Sequence, residues 1–459
     1  MASKSKRARM APQRNYAKTF MYWAVTVFII KLIIIAAIPV SNFDILAKPY
    51  NIDGAWLGAD GENYITGFQF LSRDGIFSKE GILSYWPAGY PLIMLLLSIL
   101  GKSYVLTTLS IVQSLIFSFA VYIFASQLAR TRLKKYSLLV FLLIILNPTL
   151  SPSSIAVGYE SFTASGLLIA TALIIKDFID KDNKKFVKYL VINSAIFGLL
   201  TFMQPRLIIS GILINLAWVF IRKGFKAGSL FVIITLAVTL FFPATLIFRN
   251  HQATGVNAIS TNLGVTMNIG AGDKATGGYM KKDYGVECVQ TGTVSQQDNQ
   301  LVKCVLNWYV SHPTKAIKLF YHKTINFFSP WYGPEAGGTM ARNPWLKISP
   351  LVNIASNPDG GDLIYGGFGK LISWLWLLGG ITLLLYGFIV LWRLGSLEKI
   401  IALMAMIAVS TNWLVSLISI GDHRFRLPIM GMSLFLQAVG LKTLFSRGKA
   451  QVVDGPALR

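Results

Sequence analysis

The residues best equipped for chemistry lie in one stretch, residues 60–91. Asp60-Gly61-Glu62 places two carboxylates within two residues, close to Tyr64. A carboxylate on a rigid surface can take a proton from an attacking hydroxyl. It can also hold a hard divalent cation, Mg or Mn, through oxygen ligands, with Asp60 and Glu62 as the ligands. The pattern over residues 64–70 predicts a helix that Asp60 can cap. After it, Ser84-Tyr85-Trp86-Pro87-Ala88-Gly89-Tyr90-Pro91 forms a stiff aromatic turn, and the apolar run 92–100 is too short to span a bilayer before Gly101-Lys102. Such a segment is expected to lie at the membrane interface, where Trp and Tyr prefer to sit.

Other charges stand at the ends of apolar runs. Glu160 opens one, either complementing the helix dipole or serving as a second acid. Arg206 lies between two runs with no long loop, and a charge at such depth is a functional candidate by default. Asp422, Arg424 and Arg426 precede the last run, as a local ion-pair network or as an anion site. The Gly270–Tyr279 stretch lacks the Gly-Lys-Ser/Thr and following helix of a phosphate loop. Two cysteines and four scattered histidines make no zinc pattern.

The elements that must position these groups are membrane helices. Of 459 residues 54% are hydrophobic, and the apolar residues fall in runs long enough to cross a hydrocarbon core of ~30 Å. The runs are 20–39, 104–128, 136–146, 161–175, 186–203, 207–221, 228–247, 371–392, 400–420 and 427–444, of which the third is short. Because helices satisfy their own backbone in lipid, the expected fold is an all-α polytopic membrane protein of about ten transmembrane helices, with juxtamembrane helices and a large mixed outer loop region. Residues 1–19 are expected to form a basic N-terminus and 20–248 a transmembrane core that includes a first extracytoplasmic loop, 41–90, with the candidate acid Asp60. Residues 249–370 form a second outer loop region, 371–446 the C-terminal transmembrane helices and 447–459 a tail.

Charge sets the orientation. The formal net charge of +23 would suit nucleic acid, but its position argues against that partner. Lys and Arg crowd the N-terminus, residues 130–135, 176–188, 222–226 and 393–399 and the C-terminal tail, whereas most acids fall on the opposite side. The positive-inside rule then puts both termini in the cytoplasm and the acidic loops outside, with some attraction of the basic face to anionic membrane lipid. The first run is longer than a signal-peptide core and reads as a signal anchor. Within it Lys31 either faces the bundle, snorkels, or meets a lipid head group. Cys288 and Cys304 would face an oxidising compartment and are expected to pair. Residues 314–328 predict an amphipathic helix able to lie in the interface, with Lys315, Lys318 and Lys323 among its apolar residues. No Asn-x-Ser/Thr sequon without proline occurs, in keeping with a bacterial inner or plasma membrane.

In order along the chain, several motifs resemble those of the GT-C glycosyltransferases, in the branch related to protein mannosyltransferases and the aminoarabinose transferase of lipid A. They are Asp60-x-x-x-Tyr64, Gly75-Ile76-Phe77 and Tyr85-Trp86-Pro87-Ala88-Gly89-Tyr90-Pro91; then Asn147-Pro148 to Tyr159-Glu160-Ser161; then Arg249-Asn250 with the Asn- and Gly-rich stretch to Tyr279; and finally Asp422-His423-Arg424-Phe425-Arg426-Leu427-Pro428. The similarity runs from about Phe20 to Leu444, with Pro205-Arg206 where the family often has Arg-Pro and Pro87-Ala88 where it has paired prolines. It implies transfer of a sugar from a polyprenyl-phosphate donor to an acceptor hydroxyl of a lipid, glycan or protein outside the membrane, with inversion. Asp60 would be the general base and Glu160 a second acid. Arg206, Arg249, Arg424 and Arg426, with Lys102 behind them, are the candidates for the departing phosphate. Tyr64, Tyr85, Trp86, Tyr90 and Asp422 would shape the loop side of the site. A flippase of polyprenyl-linked glycans and a glycan polymerase are the rival classes; the flippase should show internal repeats and broken mid-membrane helices, which are thin in this sequence.

Overall fold

In a computed structural model the described residues are 16–37, 60–278, 285–329 and 367–453. Residues 38–59, which include the first part of the first loop, and residues 330–366 of the second lie outside them, as do residues 1–15, 279–284 and 454–459. Among the described residues the fold is all-α, and eight helices are long and apolar enough to cross a membrane. The chain is an integral membrane protein.

The first helix, α1 (Tyr16–Ala36), packs along α5 (Val105–Ala129). Between them in sequence come α2 (Gly61–Asp74), the one-turn α3 (Ile82–Tyr85) and α4 (Gly89–Leu97). The short run 136–146 lies within α6 (Lys134–Ile145), after which the chain continues without a long helix through a segment buried from residue 149 to α7. Helices α7 (Glu160–Asp180) and α8 (Asn183–Met203) follow. The two runs 207–221 and 228–247 share one continuous assignment, α9 (Leu207–Thr254), which breaks at Gly224 with φ 73°. The break is a reversal, because Trp218 and Phe231, on either side of it, both pack edge-on against Phe186, at 5.4 and 5.3 Å. Glycine takes that left-handed φ at no steric cost. The remaining spans are α13 (Gly367–Leu394), α14 (Ser396–Ile418) and α15 (Leu427–Val453). Over its described residues each of the ten apolar runs therefore falls largely on a helix.

Beyond α9 a smaller layer holds α10 (Leu263–Ile269), α11 (Val294–Ser311) and α12 (Pro313–Phe328), gathered around their own core of Met267, Ala271, Val305, Tyr309, Ala316 and Leu319. Thr293 and Gln296 form a reciprocal capping box at the start of α11. Cys288 and Cys304 are joined, as the sequence suggested, across 16 residues. In the chain-entropy account a closed loop of this size restricts the unfolded chain by up to ~3 kcal/mol. Reduction is therefore expected to lower the thermal midpoint; an unchanged midpoint, or alkylation of both thiols without reductant, would contradict the bridge's role.

The aromatic turn of the first loop is clamped against α8. A Cβ on Gly89 would lie 2.0 Å from the carbonyl oxygen of Phe202, so only glycine permits this approach. Arg249, near the end of α9, fastens the same loop from the other side. Its Nε donates to the Ile76 carbonyl at 2.9 Å, its Nη1 to the Leu83 carbonyl and Asn250 Oδ1, and its Nη2 to the Ser78 carbonyl. One buried guanidinium thus satisfies three loop carbonyls that would otherwise lack donors.

Candidate active site

Four chain segments meet at one end of the bundle. Asp60 stands immediately before α2, and Glu160 is the first residue of α7. Arg206 begins the turn into α9, and Arg424 lies on the single 3-10 turn His423–Arg426 between α14 and α15. Charged residues at helix ends on one side of a bundle share a plane, so residues far apart in sequence can become neighbours. Arg424 Nη1 donates to Asp60 Oδ2 at 2.6 Å, and its Nε donates to Glu160 Oε1. One guanidinium joins two carboxylates that lie 100 residues apart in sequence (160 minus 60) and more than 260 from itself. The Glu160 and Arg424 side chains are 8% and 7% exposed and that of Asp60 is 20% exposed, so the carboxylate nearest solvent is Asp60.

The turn that presents Arg424 is fixed from three sides. Asp422 accepts the Arg424 backbone N–H at 2.9 Å and contacts His423 Nδ1 at 3.1 Å. Asn412 of α14 donates to the Phe425 carbonyl at 2.7 Å. Gly421 donates its N–H to the Gly277 carbonyl at 2.9 Å, and a Cβ on Gly421 would fall 2.4 Å from Lys323 Cα, so the turn packs directly on α12. Lys323 is fully buried, and its Nζ donates to Tyr309 Oη and to the carbonyls of Leu417 and Ser419, the last acceptors of α14. Burial lowers its pKa to about 7. The sequence reading set Lys323 among the apolar residues of a helix able to lie in the interface, without a side assigned. It belongs to the stripe Ala316, Leu319, Lys323, Phe327, whose i, i+3, i+7, i+11 spacing was the available signal.

Aromatic rings form the wall beside the carboxylates. Tyr64 packs edge-on against Tyr90, Tyr159 and Trp86 with centroids 5.0, 6.1 and 6.4 Å away. Burial, then Tyr159 and the Asp60 carboxylate, raises the Tyr64 pKa well above that of a free phenol. Tyr159 is likewise raised, chiefly by burial, and accepts from Gln204 Nε2 at 2.6 Å. Both remain neutral rings at physiological pH. Tyr159 entered the sequence reading only as part of the Tyr159-Glu160-Ser161 motif, without a role, and Gln204, two residues before Arg206, was not named.

A polar ladder holds the irregular segment that leads into Glu160. Lys31 of α1 donates to the Ser151 carbonyl at 2.9 Å and to Ser154 Oγ at 2.8 Å, with its ammonium 4.2 Å from the Phe117 ring centroid. Gln113 donates to the Ala156 carbonyl, and Tyr90 Oη donates to Gln113 while accepting the Gly158 N–H at 2.8 Å. Of the alternatives open for Lys31, the structure shows it facing the bundle. Irregular backbone at membrane depth is tolerated where protein groups satisfy it in this way.

The remaining candidates separate. Glu62 is exposed, and Lys102 is exposed on a short 3-10 turn. Arg249 is used by the first loop, as described above, rather than grouped with Arg424. Arg426 points its Nη1 to the Phe328 carbonyl. Tyr90 is fully buried scaffold, while Tyr85 and Trp86 are half-buried and stack edge-on on one another at 5.5 Å.

At this end of the bundle the buried guanidinium nitrogens Arg206 Nη1, Arg424 Nη2 and Arg426 Nε have no hydrogen-bond partner among the described residues. Arg206 lies flat on Phe425, its guanidinium carbon 3.7 Å from the ring centroid. Burial lowers its pKa, with Tyr159 opposing that effect. A buried donor without an acceptor is costly, so these atoms mark where an anion would be stabilised. For a divalent cation the fit is poor. Among the described residues no three His, Cys, Asp or Glu side chains cluster. The two carboxylates that do meet have Arg424 between them, where a bridging ion would sit.

No family model matches the chain, and no curated protein is similar to it. Several solved structures are similar at low identity, among them the following. The archaeal oligosaccharyltransferase AglB from Archaeoglobus fulgidus, in complex with an inhibitory peptide and a dolichol-phosphate, has a TM-score of 0.47 and 14% identity, covering 96% of this chain and 52% of that one. The Archaeoglobus fulgidus oligosaccharyltransferase complex with Zn and sulfate has a TM-score of 0.46 and 13% identity over 92% of this chain and 49% of that one. Its apo form has a TM-score of 0.46 and 14% identity over 93% and 51%. The chain spans about half the length of these structures.

Proposed function

We propose that the chain is an integral-membrane glycosyltransferase that moves a sugar from a polyprenyl-phosphate donor to an acceptor hydroxyl at the extracytoplasmic face, with inversion. The observation that carries this reading is Arg424 joining Asp60 and Glu160 beside unpartnered guanidinium donors on Arg424 and Arg206. A carboxylate next to anion-seeking cations suits a displacement in which a proton leaves one side while a phosphate departs from the other.

Asp60, the most exposed of the paired carboxylates, is the base. The acceptor oxygen attacks the anomeric carbon and its proton passes to the Asp60 carboxylate. The bond from that carbon to the phosphate oxygen breaks, and the electron pair leaves with the polyprenyl phosphate. Lipid phosphate is a good leaving group, so the protein's task is to stabilise its charge in a dry site rather than to protonate it. Arg206 Nη1 and Arg424 Nη2 supply that stabilisation, while Glu160 holds the guanidinium of Arg424 in register. Tyr64, Tyr159 and Trp86 form the apolar wall that excludes water. In this reading the basic loops lie in the cytoplasm with both termini, in keeping with the positive-inside rule, and this end of the bundle faces outside.

Arg206→Met should weaken donor binding and lower turnover by roughly 10²–10³, the size expected for one stabilising donor on a developing anion. Equal donor affinity and rate in the variant would remove Arg206 from the phosphate site. The reading as a whole is tested in proteoliposomes with a doubly labelled polyprenyl-phosphate sugar and an acceptor panel. Sugar on the acceptor with inverted anomeric configuration is expected. Lipid label crossing the bilayer with the sugar still attached would identify a flippase instead.

A further inference from the structure

A cleft of about 460 Å³ lies between the loop after α10 and the helices α11 and α12, away from the paired carboxylates. This lies within the range of small-ligand sites, about 300–1,000 Å³. Lys315, Lys318 and His322 fall at i, i+3 and i+7 on α12, one stripe of the helix, and all three line the cleft. Opposite them lie Asp273 and Thr276. Trp308 closes one end, with the His312 ring stacked against it at 5.4 Å and 22°.

The inventory is that of a saccharide site with a surplus of positive charge. An indole presents a broad apolar ring with a negative face to the C–H side of a pyranose. Asp273 and Thr276 can engage ring hydroxyls. The Lys315–Asp273 contact, 2.9 Å but with side chains 53% and 63% exposed, is a surface pair that a ligand can displace at small cost. Lys318 has no acidic partner among the described residues, which leaves a cation for a carboxylate or phosphate on the sugar. The cleft also adjoins the reactive end. Gly277, one residue beyond Thr276, accepts the N–H of Gly421, which immediately precedes Asp422 and lies three residues before Arg424.

We propose that this cleft is an acceptor subsite for an acidic saccharide, held by Trp308 and Lys318 and delivered toward Asp60. The assignment of the ligand as acceptor rests on the transferase reading; its binding does not. Calorimetric titration of the purified full chain in detergent, without donor, uses trigalacturonate as probe, galactotriose as its neutral counterpart and triglutamate as a charged non-sugar. Trigalacturonate should bind at least about tenfold more tightly than either. Lys318→Glu should weaken it about tenfold and Lys318→Arg should restore it, with unchanged thermal midpoints. Equal binding of triglutamate, equal binding of galactotriose, no binding of any probe, or indifference to Lys318→Glu would each overturn the proposal. Trigalacturonate binding by a protein that cleaves no donor would leave the cleft and remove the transferase. Donor cleavage without such binding would do the reverse.

Discussion

Replacing Arg424 with methionine is expected to destabilise the fold by about 3–5 kcal/mol, the cost of stranding a buried charge. Arg424 is the sole cation shown within salt-bridge distance of either Asp60 or Glu160 among the described residues. Glu160 is almost fully buried and cannot regain water when the guanidinium is lost. The variant Arg424→Met should therefore unfold at lower temperature in detergent and show no turnover. Adding Glu160→Gln should return part of the stability, because the neutral amide no longer needs a counter-ion, yet should return no activity. Arg424→Lys restores charge but not the fork that serves both carboxylates, so an intermediate midpoint is expected. A single variant as stable as the wild type would show that the network contributes little to the fold.

Asp60→Asn is expected to have the largest effect on rate. General-base assistance contributes about 10²–10⁴-fold, and the amide cannot accept the acceptor's proton. It can still accept a hydrogen bond from Arg424 through its oxygen, so the surrounding geometry should survive. The loss should fall on kcat, with the donor dissociation constant within about threefold of wild type, because uniform binding is not what the base supplies. A matched fall in donor affinity would mean that Asp60 shapes the donor pocket rather than the chemistry.

These expectations grew from features that differ in how well the sequence shows them. Spanning helices are legible because lipid demands long apolar runs, and even the pair joined in α9 was separable by the charged Arg222, Lys223 and Lys226 around Gly224. The convergence of Asp60, Glu160 and the Asp422–Arg426 segment was legible for a related reason: counting spans places all three at the same membrane face. Glu62 is parted from Arg424 because Asp60 stands just before α2, outside its helical backbone, whereas Glu62 lies on the first turn and faces solvent. Arg249 misled because nothing in the sequence reveals that the Ile76, Ser78 and Leu83 carbonyls need a donor. Gln204 gave no pattern of its own, Tyr159 stood in a quoted motif without a role, and Lys323 was concealed by its charge, which composition assigns to a surface and packing assigned to a core.

The most direct measurement is the release of polyprenyl phosphate from a panel of polyprenyl-phosphate sugars by purified wild type and Asp60→Asn, with donor binding recorded on the same samples. The account predicts release by the wild type with one or more of these donors, in step with sugar transfer. It also predicts at least about a hundredfold loss in Asp60→Asn at similar donor occupancy. Release at near-wild-type rates by Asp60→Asn, or no release from any donor that the wild type binds, would contradict it.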